Sequence, residues 1–151
     1  MTHERIEKLG EADIEIGGLR VWVHGREFPD ASDYWDGNWL NVTASCIGAG
    51  SSVYAHGSII HLSEIAGLLH ELEALYETLS GEAELKCIEP NLGVKLESKS
   101  AGHIGLTIQI TPDHLSERHQ FVDAMDQTFL PPIIAACRSL VERYPIRDAD
   151  Q

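Results

Sequence analysis

The strongest constraint on this chain is how few of its segments are helical. Between Asp13 and Ile110, short runs alternate apolar and polar residues, and only Leu62 to Ser80 breaks that pattern with a clear helical period. There Leu62, Ile65, Leu69, Leu72, Tyr76 and Leu79 recur at spacings of three and four. Leu68 and Leu75 widen the stripe enough to cover a sheet face. A parallel sheet needs a crossover for each strand pair, usually a helix. One central helix, and a second near the C-terminus, therefore leave antiparallel pairing as the solution.

The turns agree. Gly17-Gly18 separates Asp13–Ile16 from Leu19–Phe28, a hairpin signal. Gly48-Ala49-Gly50-Ser51-Ser52 separates Asn38–Ile47, with Leu40, Val42, Ala44 and Cys46 on one face, from Val53–Ile60. After the helix, with Ser63 as its expected N-cap and Gly81 as its stop, come three more strand candidates: Glu84–Ile88, Gly93–Ser98 and His103–Ile110. Gln120–Gln127 reads as a further strand. Pro131-Pro132 opens a final helix to about Tyr144, with Ile133, Ile134, Cys137, Leu140, Val141 and Tyr144 inward, and Pro145 ends it. The expectation is an α+β fold: a single domain over residues 13–147, with a mostly antiparallel, twisted sheet of about six to seven strands and two helices packed on one face. Residues 1–12 are expected as a flexible lead-in and 148–151 as a tail.

At 151 residues the chain can bury a core without metal or disulfide support. The three cysteines, Cys46, Cys87 and Cys137, are far apart and lack finger spacing, so they read as buried reduced thiols. No apolar run approaches a membrane span, and the N-terminus lacks the features of a secretory signal, so the expected location is the cytoplasm. The net charge of −13 opposes binding to nucleic acid or anionic membrane and suits either solubility or a basic protein partner.

The densest stretch is Asp33-Tyr34-Trp35-Asp36-Gly37-Asn38-Trp39-Leu40, which holds two of the three tryptophans. Asp30, Asp33, Asp36 and Asn38 offer oxygen ligands, but not at calcium-loop spacing, so the aspartates are expected to accept backbone N–H bonds in a turn. Tyr34, Trp35, Gly37, Asn38, Trp39 and Leu40 are assigned a structural role as the pivot that holds a loop onto the sheet. His56, His61 and Glu64, and separately His114, Glu117 and His119, do not form a zinc motif. No G-x-S-x-G elbow, phosphate loop or singled-out carboxylate pair occurs. No cofactor, metal site or catalytic residue is expected, and the chain reads as a non-enzymatic protein.

At the octapeptide the chain resembles the WapI-like immunity proteins, a family of small bacterial proteins whose pattern runs Asp-Tyr-Trp-Asp-x-Asn-Trp-Leu into a strand. Gly37 stands at the variable position, and Glu89-Pro90-Asn91-Leu92 is a second echo; together with the strand order the resemblance covers residues 13 to 110. It implies a protein-binding module that neutralises a toxin domain, often a basic nuclease. The expected contact residues are Asp30, Asp33 and Asp36 of the acidic loop and Glu71, Glu73 and Glu77 of the helix face. The alternative is a small-molecule or metal-binding domain with a pocket beside the octapeptide or around His56, His61 and Glu64.

Overall fold

Alternation becomes eight strands and three helices in the computed structural model, which describes residues 3–148. The first sheet runs β1 (Ile14–Ile16), β2 (Leu19–Arg26), β3 (Trp39–Ile47), β4 (Ser52–His61), with every neighbouring pair antiparallel. The second runs β5 (Glu82–Lys86), β6 (Leu92–Ser98), β7 (His103–Ile110), β8 (Gln120–Asp126), again antiparallel throughout. Helix α1 is His3–Glu7, α2 is Leu62–Thr78 and α3 is Leu130–Arg143.

The α+β, antiparallel reading holds. The strand count differs, with eight strands divided between two sheets. The period of two fixes which face of a strand is buried but not which strand lies beside it. Helix α2 makes the division: β4 runs straight into it, and β5 begins four residues after it ends. No helix among the described residues is long and apolar enough to cross a membrane.

Both sheets turn one face into a single core. Ile14, Leu19, Leu40, Val42, Ala44, Val53 and Ala55 come from the first sheet, and Leu85, Val94, Leu96, Leu106 and Ile108 from the second. Leu62, Ile65, Leu68, Leu72 and Leu75 of α2 and Leu130, Ile133, Cys137 and Leu140 of α3 complete it. The expected inward positions Tyr76 and Leu79 are instead exposed. Leu68 and Leu75 take their share of the stripe, and Leu79 sits in the left-handed region at the helix C-cap.

The N-terminal stretch has more structure than a lead-in implies. Ile6 of α1 is buried, and the Trp22 indole N–H donates to Gly10 O at 3.1 Å. Residues 1–2, and 149–151 of the expected tail, lie outside the described residues.

Candidate functional site

The octapeptide folds as a short 3-10 turn over Asp36–Asn38 leading directly into β3. Asp33 sets the turn: its Oδ2 accepts the Asp36 N–H at 2.9 Å and its carbonyl accepts the Gly37 N–H at 3.0 Å. A side chain at residue 37 would put its Cβ 2.8 Å from Ala31 O, so the turn packs too closely there for anything but glycine.

Asn38, 0% exposed, is the knot of the loop. Its Nδ2 donates to Tyr34 O and to Arg147 O, both at 2.6 Å, and its Oδ1 accepts the Arg147 N–H at 2.9 Å. Two arginines tighten the same knot. Arg26 Nη1 donates to Gly37 O at 2.6 Å, and its Nη2 to Pro145 O. Arg147 Nη1 donates to Pro29 O at 2.6 Å and Ala31 O at 2.7 Å. Both guanidinium groups are thus occupied by carbonyls of the loop and of the C-terminal segment.

His61 locks the loop onto α2 from the other side. It is also 0% exposed, and it is the helix N-cap, two residues before the expected Ser63, which lies inside α2. Its Nδ1 accepts the Ser63 N–H at 3.3 Å, and its backbone N–H donates to Glu64 Oε1 at 2.7 Å, which together make a capping box. Nε2 lies 3.2 Å from the carbonyl oxygens of both Tyr34 and Trp35, which can only accept, so the ring proton is on Nε2. The rings of Tyr34, Trp35 and Trp39 stand 5.2, 5.4 and 5.0 Å from the imidazole. Glu64 Oε2 also accepts the Ile88 N–H at 2.7 Å.

His61 and Glu64 are therefore used in holding the helix start. His56 is elsewhere, on the outer face of the first sheet, where its Nδ1 lies 2.9 Å from Thr43 Oγ1 and His24 Nε2 lies 2.7 Å from the same hydroxyl. It also lines a cleft of about 490 Å³ with Tyr54, Pro112, Glu117 and His119. No group of three or more His, Cys, Asp or Glu among the described residues is placed to hold a metal ion. Burial pushes the Cys46 thiol up to about 11, Cys137 up to about 12 and Cys87 higher still, with the Asp123 charge adding to the first and the Glu64 carboxylate to the last. None of the three thiols has the exposed, electropositive setting of a reactive cysteine.

The expected contact residues fall in two places. Asp30 and Asp36 are exposed on the loop, while Asp33 is half-buried at the turn. On α2, Glu73 and Glu77 are exposed and line a groove with Tyr76, Pro131, Ile134 and Arg138. Glu73 pairs with Arg138 at 3.5 Å. Glu71 is half-buried and accepts the Glu84 N–H at 2.9 Å, tying α2 to β5. Sequence reasoning missed three surface features: Trp35 is 57% exposed, Phe28 47% and Ile146 39%. Only the tertiary knot of Arg26, Asn38 and Arg147 brings residue 146 to the loop, and no local pattern signals that.

The family described as "Immunity protein WapI-like family" matches residues 9–145. No curated protein matches. Among solved structures, the chain is similar to the plant transcriptional regulator PBF-2 at a TM-score of 0.50 and 11% identity, over 83% of this chain and 75% of that one. It is also similar to WHY3 from Arabidopsis thaliana, at 0.46 and 12% identity over 87% and 85% of the two chains. At such identity the likeness to PBF-2 is one of fold alone.

Proposed function

The chain belongs to the WapI-like immunity protein family, and on that premise we propose that it is a non-enzymatic cytoplasmic protein that neutralises a basic toxin domain by binding it. The family match over nearly the whole chain is the observation that carries this reading. The charge distribution supports it. Of the basic side chains, Arg26 and Arg147 are spent on backbone carbonyls, and Lys95, Lys99, Arg138 and Arg143 pair with Glu82, Glu97, Glu73 and Asp13. The remaining carboxylates give the surface its negative field, which speeds encounter with a positive partner and discourages nucleic acid and anionic lipid. On this reading Asp30, Asp33 and Asp36, with Glu73 and Glu77, face the partner, and Glu71 contributes mainly by fixing α2 to β5.

The test is calorimetric titration of the purified protein against the toxin domain encoded beside its gene, together with an assay of that toxin's activity. Tight binding that abolishes the toxin's activity and weakens as salt rises is the expected result. A neighbouring toxin domain that neither binds nor loses activity would overturn the reading.

A further inference from the structure

The knot that holds the octapeptide also builds a surface. It gathers Phe28 to Ala31, the turn from Asp33 to Asn38, and Pro145 to Arg147 into one ledge through hydrogen bonds that link all three segments. Phe28, Trp35 and Ile146, one large apolar side chain from each segment, remain substantially exposed. An exposed apolar set rimmed by polar groups marks an interaction surface more often than chance.

Trp35 differs from an ordinary exposed aromatic because it is held from behind. Its carbonyl accepts from His61, its ring stands 5.4 Å from the His61 ring, and Tyr34 meets it edge-on at 5.1 Å. A side chain fixed in this way loses little rotamer freedom on binding, which is why rigid tryptophans are efficient anchors. An open indole face attracts a cation. Asp36 is the next residue and Asp30 projects from the adjoining segment, both exposed. The two arginines of the ledge already donate to carbonyls, so they are committed inward.

We infer that this ledge is a docking surface for a basic segment of a partner protein, with Trp35 as the anchor on which an arginine or lysine side chain stacks beside the carboxylates of Asp30 and Asp36. That the partner is a toxin rests on the function proposed above; the chemistry of the ledge does not. The α2 groove, by contrast, has its cation supplied internally by Arg138 on Glu73.

The experiment uses the full chain and a hexa-arginine peptide as probe, with indole fluorescence of the wild type to place the site and calorimetric titration to measure the affinity of every variant. Among the three tryptophans Trp35 is the exposed one, Trp22 is buried and Trp39 is half-buried, so a ligand at the ledge reports mainly through Trp35. The peptide is expected to bind at low salt and change the emission. Trp35→Ala should weaken binding about tenfold or more, Trp35→Phe by less, and the double change Asp30→Asn with Asp36→Asn should weaken it and flatten its salt dependence. Asp113→Asn with Glu117→Gln, exposed carboxylates on the loop before β8, should leave affinity within about twofold, as expected for charges away from the contact. No binding by the wild type, or equal losses from the ledge variants and this control, overturns the inference. The same variants titrated with the neighbouring toxin domain separate the two proposals. If Trp35→Ala binds the toxin like wild type, the ledge is wrong and the toxin reading stands. If the peptide binds at Trp35 and the toxin does not bind at all, the reverse is true.

Discussion

Asn38 and Arg147 stand 109 positions apart, yet the Asn38 side-chain amide pairs with the Arg147 backbone as a neighbouring strand would, donating to its carbonyl at 2.6 Å and accepting its N–H at 2.9 Å. This reciprocal pair fastens the end of the chain to the loop that precedes β3. The Asn38 end of the pair is fully buried, so little water reaches it to replace a lost partner. Asn38→Ala leaves the Arg147 carbonyl and N–H without the Asn38 side chain and takes from the Tyr34 carbonyl the shorter of its two donors, His61 Nε2 being the other. Its expected cost is about 2–4 kcal/mol, read as a lowered urea midpoint at unchanged slope. A shift no larger than that of an exposed polar residue would show that the knot relaxes around the gap.

His61 combines two separable roles, and two substitutions part them. His61→Ala removes the cap acceptor, worth about 1 kcal/mol, and also the ring on which Tyr34, Trp35 and Trp39 rest. The total loss is expected to reach about 3 kcal/mol, with a marked change in tryptophan emission. His61→Asn keeps a good cap acceptor and loses the ring, so it should regain only the cap's share. If Asn restores full stability, the aromatic packing contributes nothing and the imidazole matters only as a cap.

These two residues show where sequence reasoning reaches and where it stops. Strand and helix faces were legible because burial imposes a period: Leu40, Val42, Ala44 and Cys46 alternate inward as read, and His103–Ile110 has the expected bounds. Within the octapeptide, Asn38 donates to Tyr34 O and Arg147 O, and the Trp39 ring stands 5.0 Å from that of His61. The octapeptide's partners were not legible, because Arg26, Arg147 and His61 meet it only through tertiary packing. Partition into two sheets was hidden for the same reason, since alternation carries no information about neighbours. Residue preference alone points to Ser63 as the cap, whereas the imidazole two positions earlier takes that role by accepting the N–H of Ser63 itself. The sequence favours a structural use of Trp35 over an interface one; its carbonyl accepts from His61, while the residue is 57% exposed.

Two glycines should respond oppositely to alanine. Gly67 lies inside α2 with nothing within 4 Å of an added Cβ, so Gly67→Ala should stabilise by about 0.5–1 kcal/mol through reduced backbone entropy. At Gly18 an added Cβ would stand 2.3 Å from Ile47 O, whose own residue donates its N–H to Gly18 O at 3.1 Å. The β1–β2 turn must then move away from β3, at a cost of about 1–3 kcal/mol. Thermal melts of the two variants measured side by side decide it, and a neutral Gly18→Ala would mean that the turn has slack to yield.

Stability should peak near neutral pH and fall on both sides for different reasons. On the acid side, burial and then the nearby His56 charge hold His24 below the ordinary 6.5, against the opposing pull of Asp13. As pH drops below 6.5 the unfolded chain takes up this proton first, so the stability present above 6.5 is lost as pH falls through the folded value. Thr43 Oγ1 between the two imidazoles makes the outer face of the first sheet the place where this loss arises. On the alkaline side, the Cys46 thiol titrates at about 11 instead of 9.0 because it is buried and faces Asp123. Its folded pKa is raised, so its contribution is complete below pH 9 and drains away between 9 and about 11. Cys137, pushed up to about 12, adds a second loss over the same approach. Urea midpoints measured across the pH range should show both limbs. His24→Gln should flatten the acid limb and leave the alkaline one, and Cys46→Ala, after correction for its own packing cost at pH 7, should do the opposite. An alkaline limb unchanged by Cys46→Ala would place the loss at other groups and remove the buried thiol from the account.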